Sequence, residues 1–217
     1  MTDITDRIHG CFLGKSIGGT LGMPHEGRQE FLNLTFYQPV PDKPVPNDDL
    51  DLQLVWLDAV KQHGLATDSK ILGRWWHEHI DAHPDEYGVA LWNLQKGLEP
   101  PLTGVHNNSF TQGMGSPIRS EIWAALFPGK PLTAAHYAYH DASVDHDREG
   151  IWGEMFLAAA ESQLFGTPDT RQAIEAGLRI LPDSSLLKSA IREIQRLHAA
   201  RKPYEETRSW FLREYGS

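Results

Sequence analysis

Helix punctuation recurs along this chain and strand punctuation does not. Ser, Asp or Asn precedes one periodic apolar segment after another, Gly or Pro follows it, and period-two alternation is scarce. That pattern predicts an all-α fold. With 217 residues, 40% apolar and 23% charged, the chain can bury a real core and lies outside the disordered, collagen-like and coiled-coil ranges. One domain over 1–217 is expected, without internal repeat or low-complexity tract.

The first predicted helix, Ile4 to Leu21, is rich in small residues (Gly10, Gly14, Ser16, Gly18, Gly19), which suits a central helix approached closely by others. Phe31 to Pro46 carries four prolines and several aromatics and reads as an ordered loop. Asn47 or Asp48 caps a helix through Gln62, with Leu50, Leu54, Leu57 and Val60 as its apolar stripe and Gly64 as its stop. Further helices are expected over Thr67–Ala82, Tyr87–Leu94, Ser116–Phe127, Leu132–Ala142, Glu149–Phe165, Thr170–Ile180, Ser184–Ala200 and Tyr204–Tyr215. Between them Lys96 to Gln112 is a long connection, and such connections are often functional. Seven tryptophans exceed what a core this size needs, so some exposed aromatic surface is expected.

Net charge is −9, from 20 Lys plus Arg against 29 Asp plus Glu, a field that repels phosphate backbones and argues against general nucleic-acid or anionic-membrane binding. No apolar run approaches a membrane span and no secretory signal is evident. The single cysteine, Cys11, excludes an internal disulfide, and a cytoplasmic protein is expected. Cys11 lies in an apolar helix and reads as a small core residue.

Four segments could carry chemistry. Asn47-Asp48-Asp49-Leu50-Asp51 places adjacent carboxylates at a helix start, where a hard cation and the helix dipole would offset their repulsion. Taken alone, simple N-capping explains it better than metal binding. Glu26, in the turn Gly22-Met23-Pro24-His25-Glu26-Gly27, could position water or a substrate hydroxyl, although a surface turn is the plainer reading. Gly113-Met114-Gly115-Ser116 precedes Pro117 at a helix start and could present backbone N–H groups to phosphates or ribose, or be an ordinary turn. His146 sits between Asp145 and Asp147, whose carboxylates would raise its pKa, or in a polar interhelix turn. His77-Glu78-His79 with His83 fails the zinc-protease pattern, because the residue three after Glu78 is Asp81, and reads as a solvated helix face.

In order, these segments resemble the ADP-ribosylglycohydrolase family. Gly10-Cys11-Phe12-Leu13-Gly14 through Gly18-Gly19-Thr20-Leu21-Gly22-Met23-Pro24-His25-Glu26-Gly27 resembles its first helix and Gly-Asp-Ala-Leu-Gly-x-Pro-x-Glu signature. Asn47-Asp48-Asp49-Leu50 resembles its Thr-Asp-Asp-Thr metal motif. Gly113-Met114-Gly115 with Ile118-Arg119 resembles its Gly-Asn-Gly-Ala-x-Met-Arg element, and Ser143 to His146 its Ser/Thr-His turn. The likeness runs from about residue 7 to 165. It implies a compact multi-helix orthogonal bundle and Mg²⁺-dependent hydrolysis of the glycosidic bond between ADP-ribose and an acceptor, protein or small molecule. By the same matching, Asn47, Asp48 and Asp49 hold metal, Glu26 and Asp49 are catalytic, and Glu26, Gly113, Gly115, Ser116 and His146 meet the substrate.

Departures from the pattern open a second reading. Gly19 stands where the family has an aspartate, Asn47 and Leu50 where it has threonines, and Met114 where it has an asparagine. The family's pair of Mg²⁺ ions also uses a later Gly-x-Asp-Thr-Asp element. After Phe165 only Asp169-Thr170 and Asp183-Ser184 offer single acids, as in a fragment or a shortened relative lacking the C-terminal part. The alternative is a catalytically inactive module that binds ADP-ribose or a nucleotide sugar.

Overall fold

The computed structural model describes residues 3–37, 40, 42–43, 46–81 and 84–216. Among them there are eleven α-helices and no strand, so the all-α expectation holds. The helices are α1 (Ile4–Gly22), α2 (Asp48–His63), α3 (Ser69–His79), α4 (Asp85–Gln95), α5 (Leu102–Val105), α6 (Glu121–Leu126), α7 (Pro131–Ala142), α8 (Glu149–Gly166), α9 (Thr170–Leu178), α10 (Leu186–Ala199) and α11 (Tyr204–Tyr215).

Local chemistry sets most of their ends. Asn47, Asp68, Asp169 and Ser185 each accept a backbone N–H in the first turn of the helix they precede, at 2.9, 2.9, 2.9 and 3.1 Å. Each such cap contributes about 1 kcal/mol. Gly64, with φ at 57°, ends α2 in a backbone conformation that side-chain-bearing residues avoid. The segment expected as one helix over Ser116–Phe127 begins instead as a 3-10 turn, Pro117–Arg119, and becomes α-helical only from Glu121. Pro117 cannot donate and the Arg119 guanidinium is pulled inward, so the first turn tightens. Helix α3 starts two residues later than expected and ends at His79; Ala82 and His83 lie outside the described residues. In the loop Phe31 to Pro46, so do Gln38, Pro39, Pro41, Pro44 and Val45.

Helix α8 is the hub, packed on α6, α7 and α9. Trp56, Trp76 and Trp123 are fully buried, and Trp76 meets Trp56 at 5.8 Å and Tyr87 at 5.5 Å between ring centroids. Among the tryptophans Trp92 supplies the expected exposed aromatic surface, at 60% exposure.

Two expectations are corrected. Helix α1 is not central: no residue of it is buried, and the outer side carrying Gly10, Leu13, Gly14, Ile17 and Gly18 has no close neighbour. Its docking is one-sided, with Ile8, Cys11 and Phe12 half-buried beside polar contacts. Lys15 Nζ donates to Ile118 O at 2.6 Å and Glu121 Oε1 at 2.8 Å, and Arg7 donates to Phe165 O at 2.9 Å. The buried face of α2 is Leu52, Gln53, Trp56 and Ala59, while Leu54 and Leu57 are exposed. Both sets have helical spacing, and the set containing the large Trp56 removes more apolar area from water.

Candidate functional site

The start of α2 is held by Asn47, whose extended backbone lets its side chain accept the Asp49 N–H. Gly19 of α1 lies directly against it: a Cβ there would strike Asn47 Nδ2 and stand 3.7 Å from Asp49 Oδ2. The Asn47 amide therefore fills the space a longer residue at position 19 would need. Asp48 is exposed and Asp49 half-buried. Burial raises the Asp49 pKa, the Asp48 charge adds to this, and Lys15 opposes it.

Behind this edge three segments meet. Helix α4 brings Glu86 and Tyr87, the glycine loop brings Gly113 to Ser116, and the turn after α7 brings Asp145 and His146. Glu86 Oε1 accepts the Gly115 N–H at 3.1 Å and lies 3.4 Å from His146 Nε2, while His146 Nδ1 lies 2.9 Å from Asp145 Oδ1. Neither imidazole N–H is aligned for a hydrogen bond, so both are charge contacts. The fit is close: a Cβ at Gly115 would strike Glu86 Oε1 and Tyr87 Cε1. Ser116 Oγ donates to Gly150 O at 3.0 Å, which ties the glycine loop to α8.

Arg119 organises the floor. Fully buried, it donates through Nε to Asp141 at 2.8 Å, through both terminal nitrogens to Asp145 at 3.1 and 2.7 Å, and to Gly115 O at 2.8 Å. Burial works against every charge here, and the partners decide the outcome. Contact with Asp145 and Glu86 overcomes burial to push the His146 pKa up to about 9. Arg119 and His146 hold the Asp145 carboxyl below its usual range, and His146 and backbone N–H do the same for Glu86. His146 is thus a cation between two anions at neutral pH. Its flanking partner is Asp145; the second is Glu86 from α4, not Asp147.

Glu154 of α8 completes the network differently. Neither of its carboxyl oxygens meets a donor, and burial followed by the Asp141 charge raises its pKa well above the ordinary 4.5. Burial beside the Asp141 charge favours its protonated form. Below pH 4.5 both folded and unfolded states hold that proton; above it the unfolded state ionises first, so stability falls by up to about 1.4 kcal/mol per pH unit until the folded pKa is reached. Glu154→Gln can donate to Asp141 without ionising. Its urea midpoint should match the wild type near pH 4 and exceed it at pH 8. Parallel midpoints across that range would contradict the protonated assignment.

Tyr87 joins the two halves. Its hydroxyl lies 3.4 Å from Asp48 Oδ2 and 3.4 Å from Gly115 O. Alongside α4 a cleft of about 550 Å³ is lined by Asp85, Gly88, Val89, Trp92, Asn107 and Phe110. Of the residues predicted from sequence, Gly113, Gly115, Ser116 and His146 come together, and Asp48 reaches them through Tyr87. Glu26 is exposed on the turn after α1 and makes no side-chain hydrogen bond or ion pair with them. Among the described residues no three His, Cys, Asp or Glu side chains are grouped to hold a metal ion. Asp169 caps α9 and Asp183 pairs with Lys188 at 2.8 Å, so both later acids serve local structure. His77 and His79 stay on the exposed face of α3, and burial pushes the Cys11 thiol up to about 12, which leaves it inert. Sequence reasoning missed Glu86, Tyr87, Asp141 and Glu154, and gave Arg119 no role; the four-residue spacing of Asp141 and Asp145 beside Arg119 was the one available signal.

Fold and pocket place the chain among all-α proteins built around a buried charge network rather than a cofactor-binding sheet. Comparison with protein families goes further: the family model for ADP-ribosylglycohydrolase matches residues 1–217, and the chain belongs to that family of hydrolases acting on ADP-ribosyl groups. Comparisons with curated proteins and with solved structures give no match.

Proposed function

We propose that this protein hydrolyses the glycosidic bond at the anomeric carbon of an ADP-ribosyl group, with Asp48 and Asp49 holding Mg²⁺. The observation that carries the reading is the Tyr87 hydroxyl, which lies 3.4 Å from both Asp48 Oδ2 and Gly115 O and so brings two sequence motifs to one place. The donor set does not fit a pair of ions, because no third acid joins the pair among the described residues. It fits one Mg²⁺ that keeps most of its water, since that ion is commonly held by one or two carboxylates. When bound, the ion would polarise ribose hydroxyls or an attacking water.

The chain's own residues supply the rest. Asp48 and Asp49 neutralise the ion, so its field adds little repulsion at the anomeric carbon, where an oxocarbenium-like transition state develops positive charge. Gly115 and His146 offer donors for phosphate oxygens, and the cleft with Trp92 and Phe110 offers aromatic surface for a base. By its match to the family signature, the exposed Glu26 is the carboxylate we assign to proton transfer, a role that requires the turn after α1 to reach the bound substrate. The second reading, an inactive ADP-ribose or nucleotide-sugar binder, is favoured by the missing third acid. Incubating the purified chain with an ADP-ribosylated protein separates the two: release of free ADP-ribose that needs Mg²⁺ and stops with a chelator supports hydrolysis, while binding without release supports the module.

A further inference from the structure

The cradle formed by the glycine loop and His146 is filled by the chain itself. Glu86 Oε1 takes the Gly115 N–H at 3.1 Å, and a Cβ on Gly113 would stand 3.1 Å from both Glu86 carboxylate oxygens. A backbone N–H from a glycine turn beside an imidazolium is a donor pair that phosphate oxygens use, and a carboxylate makes the same contacts. We infer that Glu86 is an internal anion seated in a phosphate subsite, where it competes with phosphorylated ligands and sets how tightly they bind.

Two independent features separate this from ordinary core packing. His146 is fully buried, yet its Nε2 faces Glu86 at 3.4 Å without an aligned hydrogen bond, so the carboxylate is an imperfect occupant and a donor remains for a better-placed oxygen. The first turn of α4 is also strained, because Asp85, just before Glu86, holds φ at 45°, a conformation that costs a non-glycine residue about 1 kcal/mol or more. Outward movement of that turn would relieve Asp85, and the cleft lined by Asp85, Gly88 and Val89 leaves room for it. A ligand phosphate would exchange for the carboxylate with no bond made or broken.

That the natural occupant is a diphosphate rests on the ADP-ribosyl reading; the subsite itself does not. The test is calorimetry on the purified full chain with inorganic pyrophosphate, and separately with ADP-ribose, comparing the wild type with Glu86→Ala, Glu86→Gln and Glu86→Ala/His146→Ala. Glu86→Ala should bind pyrophosphate at least about tenfold tighter than the wild type, Glu86→Gln should show part of that gain, and the double variant should lose it. Glu86→Gln keeps the volume of the side chain, so it gives the answer if Glu86→Ala is poorly folded by circular dichroism. Equal pyrophosphate affinity in the wild type and Glu86→Gln, or a gain that survives loss of His146, overturns the proposal. A gain for pyrophosphate with none for ADP-ribose keeps the subsite and removes the ADP-ribosyl reading.

Discussion

Arg119→Met should cost about 3–5 kcal/mol of folding stability, a large share of the roughly 5–15 kcal/mol that holds a domain together. Methionine matches the length of the side chain but leaves Asp141 and Asp145 buried without the cation that now meets both. Charged groups taken out of water are tolerated only when paired, so the loss comes chiefly from the stranded carboxylates. The guanidinium also lies 5.1 Å from the Trp76 ring centroid, a contact that methionine replaces only in part. Arg119→Lys retains the charge without the planar fork and should recover less than half of the loss. Combining Arg119→Met with Asp145→Asn should recover part of it by removing one stranded charge. Guanidinium unfolding followed by circular dichroism measures all three; a cost under about 1 kcal/mol for Arg119→Met would mean that the aspartates are not ionised in the fold.

Asp48→Ala and Asp49→Ala should each slow ADP-ribose release at least about 100-fold, roughly 2.7 kcal/mol in the barrier, while changing stability by less than about 1 kcal/mol. The effect is large because the site has no substitute ligand. Position 19, against the start of α2, has no side chain to offer, and no third acid joins the pair among the described residues. Stability changes little because both aspartates sit in the first helical turn, where their own contribution is a modest helix-dipole term. Rates measured against Mg²⁺ concentration check this: each variant should need more metal for half-maximal rate. Wild-type rates in either variant would remove the metal role from the pair.

Legibility in the sequence followed the range of the interaction. Caps and stops act over three or four residues, which is why Asn47 and Gly64 could be read as helix boundaries. Burial is set by partners far along the chain. In α2 two stripes of helical spacing were available, and only the docking of α3 against Trp56 selected between them. In α1 the small residues suggested close approach, but a helix docked through Lys15 and Arg7 keeps its glycines on the open side. The glycine loop and His146 could be named from sequence because each is a local motif. Glu86 could not, since a glutamate in the first turn of a helix after Pro84 looks like any solvent-facing acid.

From sequence alone came the all-α class, most helix starts, the absence of a disulfide and the motif residues Asp48, Asp49, Gly113, Gly115 and His146, all properties of neighbouring residues or of composition. Tertiary structure alone decided that Arg119 and Glu154 carry their polar groups into the core, that Tyr87 bridges Asp48 to Gly115, and that Glu86 faces His146. The physical reason is that the charge state of a carboxylate depends on what lies within a few ångströms in space, and those neighbours come from distant parts of the chain, as His146 does 60 residues beyond Glu86.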